Sequence, residues 1–105
     1  MDNKLLSELC KEWIEVKKIS VKYSSFVKYE NVIDRYIIPY FKEYTIQQVN
    51  IEVVIEYFNH LFSLDKYANS TLSAIKYVMK SVFQFTYLKY GITTCNFDLI
   101  KINKK

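Results

Sequence analysis

The chain has 105 residues, half of them hydrophobic, with one Gly, one Pro and a formal net charge of +4. That length holds one hydrophobic core and not two, and the scarcity of Gly and Pro excludes a disordered chain and favours an all-α one. A charge of +4 does not by itself mark a nucleic-acid binder, so where the charges fall matters more than their sum.

Residues 1–15 sum to −2, residues 16–42 to +4, residues 43–65 to −4 and residues 66–105 to +6, so the sign alternates along the chain. The ten tyrosines are read as the codon bias of an AT-rich genome. Cys10 and Cys95 are isolated thiols in a chain that can bury a core without a staple, which points to a reduced, cytoplasmic setting. His60 is the only histidine and no C-x-x-C occurs, so no metal and no cofactor is expected. No stretch approaches the roughly 20 apolar residues of a membrane span.

Taken in order, residues 4–18 read as a first helix with Leu5, Leu6, Leu9, Trp13 and Val16 on its buried stripe. Residues 17–21 connect it to a second helix, in which Phe26, Tyr29, Val32, Ile33, Tyr36 and Ile37 fill one arc. Ser24 or Ser25 is expected to cap that helix and Pro39 to stop it. Ser24, Lys28, Asn31 and Arg35 gather on its opposite, polar side. Residues 40–48 lack a period and read as an irregular turn pinned to the core by Ile46 and Val49. Asn50 caps a third helix whose stripe is Ile51, Val54, Ile55, Phe58, Leu61 and Phe62, and whose outward charges are acidic. After a polar loop over 63–69, residues 70–90 form the longest helix, capped by Asn69 or Ser70 and closed by Gly91. Leu72, Ile75, Val78, Met79, Val82, Phe83 and Thr86 share its buried side. Its other face collects Ser73, Lys76, Tyr77, Lys80 and Gln84 without a carboxylate. An ordinary solvated helix face mixes Glu with Lys, so the missing acid is informative.

No catalytic constellation is present. There is no glycine-rich phosphate loop, no H-E-x-x-H and no G-x-S-x-G. His60 has no nucleophile beside it and reads as a structural histidine, while Glu52 and Glu56 read as a solvated helix face. What remains is two helices that each begin with small polar residues and carry Lys or Arg along one side. Such helices offer backbone N–H groups and cations to phosphates. A helical adaptor that binds protein through the first helix or the tyrosines is the alternative reading.

The order of these features resembles the N-terminal core-binding domain of tyrosine recombinases, the phage-integrase family. It is carried by Trp13, then by Lys22, Ser24, Ser25, Phe26 and Tyr29, then by Ile37, Ile38 and Pro39. It continues through Ile46, Val49 and Asn50, through Ser70, Thr71 and Leu72, and ends with Gly91, Ile92 and Asn96. Lys42, Tyr87 and Phe97 depart from the usual pattern. The resemblance implies a compact, SAM-like bundle of four main helices over residues 1–98, with 99–105 starting a linker toward a catalytic domain. It implies a module that clamps double-stranded DNA at the crossover site during integration or excision. Its partners are then that catalytic domain of the same parent chain and other recombinase protomers. Lys22, Ser24, Ser25, Lys28, Ser70, Ser73, Lys76 and Lys80 are the contacts the resemblance implies, and the polar-face reading adds Asn31, Arg35 and Tyr77. With one Arg and one His the chain cannot hold the family's catalytic set, so it is expected to bind DNA and not to cut it.

Overall fold

In the computed structural model, which describes residues 4–93, the first and second helices lie along the long apolar stripe of the last one. The elements are α1 (Leu6–Ser20), α2 (Tyr23–Val32), a π-helical turn (Ile33–Ile37), α3 (Ile38–Phe41), a 3-10 turn (Ile46–Gln48), α4 (Ile51–Leu64) and α5 (Asn69–Tyr90). Since α2, the π turn and α3 follow one another without a break, the described residues form a bundle of four main helices, all-α and SAM-like as expected. Cys95, Asn96, Phe97, the expected boundary at 98/99 and the basic exit beyond it lie outside the described residues.

All seven residues assigned to the buried side of α5, from Leu72 to Thr86, are buried. Thr86 is tolerated there because its hydroxyl donates to the Val82 carbonyl at 2.8 Å, which satisfies the one polar group on that side. With the α5 stripe, Leu6, Leu9, Cys10, Trp13 and Ile14 of α1, Val32, Ile33 and Ile37 of the second rod (α2, the π turn and α3 taken together), and Val54, Tyr57, Phe58 and Leu61 of α4 form one core. Burial pushes the Cys10 thiol up to about 12, so it packs as a small apolar group. Ile46 and Val49 do pin the intervening turn to the core.

Several expectations need correction. Val16 is 47% exposed, because the last turn of α1 runs past the helices it packs on and leaves Ile19 bare as well. Leu5 is only half-buried, and Ile55 is exposed. On α4 the buried arc is rotated toward Tyr57, which puts Ile51, Ile55 and Phe62 on its margin. Neither Ser24 nor Ser25 caps α2. The Phe26 N–H bonds the Lys22 carbonyl at 3.0 Å, so the helix starts a residue before them and Lys22 holds the cap position. Likewise the Leu72 N–H bonds the Ala68 carbonyl at 3.1 Å, which places Asn69 and Ser70 inside the first turn of α5. Pro39 does not stop the second helix. The ladder widens before it, with the Ile38 N–H reaching back five residues to the Ile33 carbonyl, and helix resumes as far as Phe41.

Two caps are as expected. Asn50 Oδ1 accepts from the Val53 N–H at 3.0 Å. Gly91 closes α5 at φ 71°, a left-handed conformation open to glycine without steric penalty, with its N–H on the Tyr87 carbonyl at 2.8 Å.

α1 is fastened at two places. The Leu6 N–H bonds the Tyr44 carbonyl at 3.0 Å and the Ile46 N–H bonds the Lys4 carbonyl at 2.8 Å, which ties the start of α1 to the turn after α3. At the far end of α5, Glu12 accepts from the Tyr90 hydroxyl at 2.6 Å, from Lys89 at 2.9 Å and from Lys4 at 3.2 Å. The Tyr90 and Lys89 hydrogen bonds, joined by Lys4, hold the Glu12 carboxyl down at about 2. A carboxyl depressed in the folded state stabilises it above the unfolded value of about 4.3, and that stabilisation disappears as pH falls through the folded value. Urea titrations should therefore show the native chain losing roughly 1 kcal/mol more than Glu12→Gln between about pH 5 and about pH 2, a figure reduced for the partial exposure of the site.

Candidate nucleic-acid interface

The second rod and α5 lie side by side, and ring contacts set their alignment. Tyr29 meets Tyr77 at 5.5 Å between centroids, and Tyr36 meets Tyr67, just before α5, at 5.4 Å. As one chain advances from 29 to 36 the other retreats from 77 to 67, so the two run antiparallel. Trp13 backs the first of these contacts, with its ring 5.6 Å from Tyr29. Burial first, then the hydrogen bond with Tyr77, raises the Tyr29 hydroxyl above its ordinary value.

Between the two segments opens a groove of about 470 Å³. Ser24, Lys28, Asn31 and Arg35 line it from the α2 side, spaced at one helical face, and Ser70 lines it from α5. Val27, Val32, Tyr36, Thr71 and Ala74 supply the rest of its lining. Five of the eleven expected residues are thus brought together, and Tyr77 closes the junction beside them. Lys22 is exposed at the α2 cap, and Ser25 is half-buried outside the lining. Ser73, Lys76 and Lys80 also lie outside the lining. At 100° per residue Lys76 and Lys80 fall on a different face of α5 from Ser70, Thr71 and Ala74, so the groove lining does not gather them.

The electrostatics of the helix starts separate these two helices from the others. The first three N–H groups of any α-helix lack intrahelical acceptors, and the helix dipole adds partial positive charge there. In α1 and α4 that charge is met by Glu8 and Glu52 in the first turn. In α2 and α5 the first turn carries no acidic residue, and both first turns border the groove through Ser24 and through Ser70 and Thr71. Chemically the arrangement suits anions lying along an open channel.

Among the described residues no cluster of three or more His, Cys, Asp or Glu is placed to hold a metal ion, and no helix is long and apolar enough to cross a membrane. His60 is exposed and stacks near Tyr40 at 5.8 Å. Sequence reasoning missed the apolar floor of the groove, although Val32 was on the buried arc and Thr71 sat in the family pattern. It also missed the role of Tyr57, whose hydroxyl donates to the Tyr36 carbonyl at 2.6 Å and fastens α4 to the π turn.

The family profile described as phage integrase, N-terminal SAM-like domain, matches residues 5–62. No curated protein and no solved structure matches the chain. The matched segment contains α1, the whole of the second rod and nearly all of α4.

The Tyr29–Tyr77 contact is the joint that keeps the two groove walls in register. Tyr77→Ala should lower unfolding free energy by about 1 kcal/mol, the usual worth of an aromatic pair. Urea denaturation followed by tryptophan fluorescence checks this directly, since Trp13 abuts Tyr29.

Proposed function

Because this chain belongs to the phage integrase N-terminal SAM-like domain family, we propose that it is a DNA-binding domain of a site-specific recombinase that grips the duplex at the crossover site. The observation that carries this reading is the groove. Ser24, Lys28, Asn31 and Arg35 of one rod and Ser70 of α5 line a single open channel. The first turns that border it offer backbone N–H groups with no competing carboxylate. Phosphates then take Lys28 and Arg35 together with the helix-start N–H groups, while Asn31 is the side chain suited to a base edge. In this reading Lys22, Ser25, Ser73, Lys76, Tyr77 and Lys80 add contacts to the duplex outside the channel.

In this reading the domain binds DNA, and cutting belongs to the catalytic domain of the same parent chain. Closing that domain on the far side of the duplex raises affinity through effective concentration. Other protomers on the DNA are the remaining partners. The exposed apolar corner of Val16, Ile19 and Tyr23, at 47%, 87% and 79%, supports a protein contact there and keeps the adaptor reading as the second one.

The two readings differ in their response to salt. For a duplex held by about five cationic contacts, log Kd should change with log salt at a slope of magnitude about 4.5. Lys28→Glu should weaken binding at least tenfold and reduce that slope by about 1, with the circular dichroism spectrum unchanged. An adaptor would bind duplex weakly if at all and would respond to neither change.

A further inference from the structure

A second cleft, of about 220 Å³, lies between the second rod and α4, and the groove does not use it. Its walls are aromatic: Tyr36, Tyr40, Tyr57 and Tyr67, with His60 and Arg35 beside them. Tyr36 and Tyr67 meet edge to face at 86°, and Tyr40 lies 4.7 Å from Tyr57 and 5.8 Å from His60. Tyr57 is a fixed back wall, since its hydroxyl is committed to the Tyr36 carbonyl and its ring is buried. At the outer edge Lys66 stands over the Tyr67 ring, 5.5 Å from its centroid.

The chemistry of this cleft narrows its occupant. No carboxylate lines it, and Arg35 does, which disfavours an ammonium or a methylated lysine despite the rings. Its volume falls below that of sites for drug-sized ligands and suits one planar ring system. Arg35 and Tyr36 line both this cleft and the groove, so a strand crossing from one to the other passes the same guanidinium. We propose that the cleft takes a single unstacked nucleobase, stacked against the tyrosines with its flanking phosphate on Arg35. Where the strand comes from a bound duplex, the proposal rests on the reading of the groove as a DNA site; the cleft itself recognises only a base and a phosphate.

Stacking of this kind tolerates any base, because every base has a π face. The test uses the full chain and two probes that carry 2-aminopurine, whose emission falls on stacking. One probe is a short single strand, which does not need the groove. The other is a duplex with one unpaired 2-aminopurine, compared with the fully paired duplex. Quenching of the single strand is expected in the native chain, in Lys28→Glu and in Tyr67→Phe, and is expected to vanish in Tyr67→Leu and in Tyr40→Leu. The bulged duplex should bind about tenfold tighter than the paired one, with that preference lost in Tyr40→Leu while paired-duplex affinity holds. If the paired duplex fails to bind but the single strand is still quenched, the groove reading fails and the cleft stands. Absence of quenching in the native chain, or quenching that survives both leucine variants, overturns the proposal whatever the paired duplex does.

Discussion

A proline has no N–H to donate, and inside a helix its ring collides with the carbonyl four residues back. In this chain the conflict at Pro39 is met by a π turn over Ile33–Ile37, in which the Ile38 N–H reaches the Ile33 carbonyl. The rod survives as far as Phe41, so one element presents residues to three places. Ser24 to Asn31 line the groove before the turn, Arg35 and Tyr36 within it line both groove and cleft, and Pro39 and Tyr40 after it line the cleft. Phe41, buried completely, ends the rod in the core against Tyr57. The widened turn is also where α4 attaches, through the Tyr57 hydroxyl and the Tyr36 carbonyl. π turns often mark functional sites, and the position of Arg35 gives that association a concrete form here.

The second constraint is the division of labour among helix starts. Glu8 and Glu52 neutralise the positive ends of α1 and α4, and Glu8 in addition accepts from the Leu5 N–H at 3.0 Å. No acidic residue does this for α2 or α5. A bundle stabilised only for its own sake would gain from an acid at each start, since each contributes a few tenths of a kcal/mol or more. Setting aside α3, which continues directly from the π turn, the two helices without one are the two that border the groove, which is the pattern expected if an external anion completes them.

Much of this was legible beforehand, for identifiable reasons. The α5 stripe was read without error because it runs through a 22-residue helix buried along nearly its whole length, so period and burial agree. The polar set on the second rod was legible because four residues at helical spacing necessarily share a face. The N-caps of α2 and α5 escape the sequence because a serine near a helix start signals the start without fixing which residue precedes it. Pro39 announced a disruption but not its form, since a stop and a widened turn relieve the same clash. Val16 was misjudged because periodicity cannot tell where a helix outruns its neighbours. On α5 the groove gathers Ser70 and leaves out Ser73, Lys76 and Lys80, because at 100° per residue these sit on a different face from Thr71 and Ala74. The aromatic cleft was invisible because Tyr36, Tyr40, Tyr57 and Tyr67 come from separate elements, and an excess of tyrosine has a compositional explanation that needs no fold.

The proposed DNA-binding surface is the groove between the second rod and α5. Amide chemical-shift mapping of the chain titrated with a short duplex at low salt tests this most directly. The account predicts that the shifted amides concentrate at Ser24, Lys28, Asn31 and Arg35 and in the first turns of α5 around Ser70, with the outer face of α4 at Glu52 and Glu56 unmoved. Shifts confined to the Val16, Ile19 and Tyr23 corner, or spread over α4 with the groove silent, would contradict it.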